Sequence, residues 1–428
     1  MAAPTTWVAG IRPVSVIVRM GSRNETNPWL LKLIVVSIFL PDEVGLRVSG
    51  LWFSGSRTIF LLLVPVLFIR FARKLITGHY RFVFSDLFVI VTGIWMIYAI
   101  SRIDGFQSAL THAGPLALDF CVGYLVTRVL LSGHGQAIAL SKFLCSTIAV
   151  VGLLGLMDTL SGRYLTHSLV RAVLGGPDMG NSGYRLGLLR ATSTLPHPIL
   201  FGFVSSIGIF LASSIKMRAR RFAIIGCGVG AFIALSSAPF QAIIIGGALL
   251  AYNRVSTGVR FRWAGLIGLA AAGIIMILLV VDRPFAFIFN HLVFDTESAY
   301  FRLWTWEIAG AALDQSPFLG LGFIPPDFYE IPATVDSVWL EMALMFGIPG
   351  SILIAVSMIG GTSLSTNGPG AHLTKAESQL GTTLGIVICL AIVVGFTVHF
   401  FGAPWVLIPF LVGIRAHLGE LGRISAKT

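Results

Sequence analysis

Two stretches of the chain gather the side chains able to do chemistry. The first, GRYLTHSLVRAVLGGPDMGNSGYRLGLLRATSTLPHPILFG, carries Arg163, Arg171, Arg185 and Arg190 and few acids. A guanidinium grips a phosphate with two parallel hydrogen bonds, so a glycine-rich loop bearing several arginines suits an anionic ligand. Arg163 and Arg171 are equally explained by lipid phosphates at a membrane surface. Arg185 and Arg190 flank GLLRATSTLPHP, a turn signal that leads directly into an apolar run, and so belong at the mouth of a helix bundle. The second stretch, FDTESAYFRLWTWEIAGAALDQSPFLGLGF, reads as a tryptophan-rich amphipathic helix over about 297–313 that Pro317 ends. Trp304 and Trp306 are each served by a place in the aromatic belt. Arg302 is different, because a positive charge beside an apolar helix face on the translocated side needs an anionic ligand to account for it.

Carboxylates follow in ATVDSVWLEMALMFGIPG, where Asp336 stands at the entry to an apolar run and Glu341 about one and a half turns deeper. Partial burial raises a carboxyl pKa toward neutrality, which fits a general base acting on a sugar hydroxyl. Asp336 is also a natural N-cap, and Glu341 is equally suited to pairing with an arginine. His197, in LPHPIL, and His291 have the right chemistry for an acid or base, although a histidine between prolines is often structural. Asp119, Asp158 and Glu307 lie in or near apolar runs, where ionisable groups suggest function or pairing. The sequence has no GxxxxGK[ST], HExxH or GxSxG, which argues against nucleotide hydrolysis and metalloprotease chemistry. Its four cysteines sit inside apolar runs without a CxxC pair and predict neither a disulfide framework nor a metal site.

The elements that must position these groups are membrane helices. Of 428 residues, 55% are hydrophobic and only 11% charged, and the mean hydropathy is +0.86, outside the usual range of soluble domains. The formal charge of +11 is spread singly between apolar runs rather than gathered on one face, which excludes a nucleic-acid-binding surface and marks topology instead. Apolar runs near 29–53, 57–72, 83–101, 114–131, 143–160, 197–215, 222–237, 239–253, 263–281, 337–360, 380–398 and 401–415 predict an all-α polytopic integral membrane protein of about 12 transmembrane helices. The first run is interrupted by Pro41, Asp42 and Glu43 and is the weakest span together with the last. The expected organisation is a cytoplasmic segment 1–28, one transmembrane domain 29–415 and a cytoplasmic tail 416–428. Outer loops 161–196 and 282–336, the latter before the tenth span, form the site. With both termini inside, Arg47, Arg57, Arg102, Arg163, Arg171, Arg185, Arg190, Arg283 and Arg302 lie outside, and every lysine lies inside. No removable signal peptide, no 20–50-residue repeat and no inverted pair of broken spans is visible.

The R-A-T-S-T-L-P-H-P entering one span, F-R-L-W-T-W-E-I followed by S-P-F-L-G-L-G-F, and the outer loop before the tenth span resemble the O-antigen ligase and polymerase superfamily over about residues 185–350. The resemblance implies a multi-pass protein of the bacterial inner membrane, acting on its outer face on undecaprenyl pyrophosphate-linked oligosaccharide. It also implies that Arg190 and Arg302 bind the pyrophosphate. Where ligases carry a histidine followed by a small polar residue, this chain reads Asp336-Ser337, ahead of Gly347 and Gly350; that departure favours the polymerase branch and makes Asp336 the candidate base. The expected enzyme is a metal-independent glycosyltransferase without a cofactor. In it Asp336, Arg302 and Arg190 are catalytic, and Arg185, His197, Glu341 and Trp304 bind substrate. A chain-length regulator and a flippase are the partners the resemblance implies. A ligase that uses a lipid or protein anchor, and a transporter or flippase of the same lipid-linked sugar, are the alternatives.

Overall fold

The computed structural model describes residues 28–48, 51–78, 80–176, 183–281, 296–323, 335–360 and 373–424. Almost all of this is helix: α1 (Pro28–Ile38), α2 (Gly55–Ile76), α3 (Phe84–Ile103), α4 (Gly105–Leu130, with a π turn at Ala109–Ala113), α5 (Gln136–Ser161), α6 (Leu165–Leu174) and α7 (Pro198–Ser214). There follow α8 (Arg220–Ile233), α9 (Ser237–Val255), α10 (Arg262–Val280), α11 (Thr296–Leu313), α12 (Val338–Gly360), α13 (Lys375–Val394) and α14 (Ala403–Ile424). The only strands among the described residues are two short antiparallel hairpins, Gly45–Val48 with Leu51–Ser54 and Tyr184–Arg185 with Leu188–Leu189.

Seven of the described helices, α3, α4, α5, α10, α12, α13 and the greater part of α14, are long and apolar enough to cross a membrane. Outer surfaces agree with that: in α10 no residue is buried and Leu279 is more than 70% exposed, and in α2 Leu62 and Phe68 are exposed to the same degree. Apolar side chains in such number at a surface need a lipid or protein environment. The run 29–53 is not one helix. Helix α1 ends at Ile38, rises only about 16 Å, and gives way to a turn at Pro41 and then to the first hairpin. At the other end of the chain, α14 continues through the expected tail to Ile424.

Helix ends collect in two polar layers. One contains the starts of α2, α7, α12 and α14 and the ends of α5 and α13. The other contains the starts of α3, α5 and α13 and the ends of α2, α4 and α14. Helix α12 is broken within its span, where Gly347 has φ 75° and Pro349 removes a donor. A side chain at Gly347 would overlap the Phe318 carbonyl, because the SPFLGLGF segment is folded into the break. Leu321 N donates to Leu344 O at 2.6 Å, Ile348 N to Pro317 O at 2.8 Å, and Trp95 Nε1 to Phe346 O at 2.8 Å. The interruption thus leaves those groups satisfied, as a membrane interior requires.

Candidate functional site

A cavity of about 270 Å³ opens in the first of these layers, lined by His197, Asp336, Glu341, Thr397 and His399, with Phe401 and aliphatic side chains between them. The R-A-T-S-T-L-P-H-P segment forms one wall as a rigid turn. Ser193 takes φ 59°, a conformation that costs a non-glycine residue energy and persists only where the surroundings impose it. They do so here: Ser193 Oγ donates to Val151 O at 2.7 Å, and Ser193 N and Thr192 N donate to Asp158 Oδ2 at 2.8 and 3.3 Å. Asp158 also accepts from Leu165 N at 3.0 Å. Its carboxylate is consumed in tying α6 and the turn to the end of α5, a structural role in place of the functional one its position suggested.

The turn delivers His197 as the N-cap of α7, with Pro198 at the first helical position. Ile199 N donates to His197 Nδ1 at 3.3 Å, so this nitrogen is unprotonated and Nε2 carries the hydrogen of a neutral ring. Burial, reinforced by the Arg190 guanidinium, holds the imidazole pKa down at about 4. Arg190 itself is pulled below its ordinary value by burial first and by Arg185 second, while Tyr164 and Asp336 act against the shift. Arg190 is therefore within electrostatic reach of both His197 and Asp336.

The opposite wall is the start of α12. Asp336 was an expected N-cap, but Ser337 has that role: Leu340 N donates to Ser337 Oγ at 3.4 Å, and Val338 begins the helix. The cap falls one residue later because Ser337 Oγ is pinned to Gly395 O at 3.1 Å and Val338 N is shared between Gly395 O and Val398 O. These bonds fasten the 395–402 turn across the mouth of α12 and bring Thr397 and His399 into the cavity. Burial pushes the His399 pKa down to about 4 as well. Glu341 is 5% exposed, faces the cavity, and makes no side-chain hydrogen bond among the described residues. The arginine pairing considered for it is not seen among those residues.

Four expected site residues stand apart from the cavity lining: Arg190, which acts on it through its charge, and Arg302, Trp304 and Arg185. Arg302 is buried on α11, two turns before Ala309, which packs with Ala312 against Val335, Leu340 and Leu344 of the α12 entry. Trp304 is half-buried against Phe301 with ring centroids 6.3 Å apart, whereas Trp306 stacks on Phe396 of the 395–402 turn. Arg185 is exposed and donates to Leu235 O at 3.1 Å, bracing the second hairpin on the turn between α8 and α9. His291 and Arg283 lie outside the described residues. Asp119 pairs with Arg57 at 2.9 Å.

His399 and Thr397 escaped the sequence reading. The available signal was TVHFFGAPW, a histidine in the short link between two apolar runs, but nothing local ties that link to Asp336. Among the described residues no three His, Cys, Asp or Glu side chains are gathered so as to hold a metal ion. The pocket can offer a cluster of neutral imidazoles and carboxyls for hydroxyl groups, with a guanidinium at its edge for an anion. No protein-family model matches the chain, and no curated protein matches it in sequence; the resemblance to O-antigen ligases and polymerases thus rests on the quoted motifs.

Proposed function

We propose that this protein is a glycan polymerase of the bacterial inner membrane, acting on the outer face. It transfers a saccharide chain from undecaprenyl pyrophosphate to a hydroxyl of another lipid-linked repeat unit. The topology that goes with this is twelve crossings, those of α1 to α5, α7 to α10 and α12 to α14, with both termini cytoplasmic. The observation that carries the proposal is the meeting of Asp336, Glu341 and His197 in one cavity at a helix-mouth layer, with Arg190 within electrostatic reach of Asp336 and His197.

In this scheme Arg190 neutralises charge building on the departing pyrophosphate, the kind of preorganised electrostatic help that dominates many enzymes. Asp336 takes the proton of the acceptor hydroxyl as the new glycosidic bond forms, and lipid pyrophosphate leaves with the electron pair of the broken bond. Arg302, on the helix that packs on the α12 entry, contributes its charge to the same leaving group when lipid-linked donor is bound. Sugars suit the pocket walls, which mix polar groups with Phe401 and aliphatic surface.

The test uses purified protein in liposomes with lipid-linked repeat units, wild type beside Arg190→Ala and Asp336→Asn, with glycan length read on a gel. A ladder from wild type that both variants lose supports polymerisation. A single transfer to an added lipid or protein anchor would instead make the protein a ligase. Intact substrate with well-folded wild type rejects both. A transporter of the same lipid-linked sugar is the remaining alternative. Movement of labelled lipid across the liposome would favour that alternative.

A further inference from the structure

A second cluster of titratable groups lies behind the cavity wall and has no part in the chemistry above. His167, near the start of α6, is 4% exposed, and Glu43, in the turn after α1, is 2% exposed. His167 Nδ1 stands 2.8 and 2.9 Å from the two Glu43 carboxyl oxygens, and Nε2 stands 3.1 Å from Leu195 O. A carbonyl only accepts, so Nε2 carries a hydrogen. On the other side a single ring nitrogen is nearly equidistant from both carboxyl oxygens; this suits an N–H shared by a carboxylate, whereas a carboxylic acid would donate through one oxygen. The geometry fits a ring that donates from both nitrogens.

Asp42 on the same turn and Asp158 from α5 are within electrostatic reach of His167, but burial holds the Asp42 carboxyl above its usual range, so Glu43 is the carboxylate that the geometry pairs with the ring. Arg57 of α2 acts on Asp42 and is bonded to Asp119 of α4. The contacts join three segments distant in sequence: the Pro41–Glu43 turn, α6 of the first long loop, and the Thr192–His197 turn. Gly176, just past α6, closes against Glu43, where a Cβ would sit 2.8 Å from its Cα. A Cβ at Gly402 would meet Pro196 at 3.1 Å and Asp42 Oδ2 at 3.8 Å, so the third pocket segment is braced on the same spot.

We propose that the Glu43–His167 pair is a latch, with His167 held as an imidazolium, that positions the Arg190–His197 turn at the cavity. Whatever the cavity binds, the latch decides where Arg190 and His197 stand; His167 is a positioning residue and touches no ligand. A buried pair of this kind is strongly destabilised when one partner is removed, because the other charge remains in a dry site. Replacing Glu43 by glutamine has a different consequence. The amide can donate to Nδ1 of a neutral ring while Nε2–H keeps Leu195 O, so the hydrogen bonds survive without the charge.

The experiment uses the full-length protein in nanodiscs, with ¹⁵N-histidine labelling and limited trypsin digestion of the first long loop, where Arg171 and Arg185 are exposed. In wild type at neutral pH the His167 signal, assigned by its loss in His167→Phe, is expected to show both ring nitrogens protonated. Cleavage at Arg171 and Arg185 should rise at least about tenfold in His167→Phe and Glu43→Ala, because local opening sets the rate. Glu43→Gln should cleave within about twofold of wild type while its His167 carries one ring proton. A singly protonated His167 in wild type overturns the proposal, as does wild-type cleavage of Glu43→Ala. If His167→Phe does not fold, the contrast between Glu43→Gln and Glu43→Ala still decides it.

Discussion

The two ends of this helix bundle differ in how fully their buried charge is engaged. At the end away from the cavity, Arg128 of α4 is fully buried and wholly engaged. Its Nε and Nη2 donate to the two oxygens of Asp86 at 2.9 and 3.2 Å, Nη1 donates to Glu420, and Nη2 also donates to Arg81 O. The guanidinium lies 4.4 Å from the centre of the Tyr80 ring. Asp86 also accepts from Tyr124 and from Val83 N, and Glu420 from Arg81 N. The cluster ties the ends of α4 and α14 to the start of α3, with all three guanidinium nitrogens of Arg128 and both carboxylates hydrogen-bonded. At the cavity end, Glu341 is nearly as buried yet has no side-chain hydrogen bond among the described residues, and two neutral histidines face the same space. Charge consumed by its neighbours makes architecture; charge left facing a cavity is available for a ligand.

Substitutions should separate the two ends. The largest effect is expected at Arg128: Arg128→Met leaves Asp86 and Glu420 buried without their cation and should lower stability by about 3–5 kcal/mol, measured by chemical unfolding in detergent. Arg128→Lys should recover little of it, since one ammonium cannot reproduce the forked contacts to two carboxylates and a carbonyl. At the other end Arg190→Ala should leave the unfolding midpoint nearly unchanged. It should reduce glycan-transfer rate by about 10²- to 10³-fold, the usual cost of losing one electrostatic stabiliser. A large loss of stability with Arg190→Ala would erase the distinction between the ends.

Glu341→Met is expected to change stability in the reverse sense, raising it by about 1 kcal/mol while impairing function, because it removes a buried carboxyl that makes no side-chain hydrogen bond among the described residues. Destabilisation would mean that Glu341 is held by structure after all. A further effect is the pH response of the cavity. His197 and His399 titrate near 4 in the folded protein and near 6.5 when unfolded. Between those values the unfolded chain binds more protons, so stability should rise with pH through this window and fall as pH drops from 6.5 toward 4. His399→Gln should flatten part of that slope in thermal melts at pH 7 and pH 5.

Much of the fold was legible because membrane helices announce themselves locally. A run of apolar residues long enough to cross a bilayer carries its own backbone hydrogen bonds, so neither its existence nor its type depends on distant residues. Trp304 and Arg302 on a helix ended before Pro317, and Asp336 at the entry to the next one, could be read the same way. The short first run could not, because Pro41 and the following hairpin compete with helix over a few residues. Pairings lay beyond local reach. Asp86 is 42 residues from Arg128 and Glu420 is 292 away, Glu43 is 124 from His167, and the 395–402 turn meets the Asp336 segment through bonds from Ser337 Oγ and Val338 N at the mouth of α12. Spacing along the chain is enough to mark the apolar helices and the charged positions on them. Which charges neutralise one another and which face a cavity depends instead on how the helices pack across the bundle, and no spacing along any one of them carries that information.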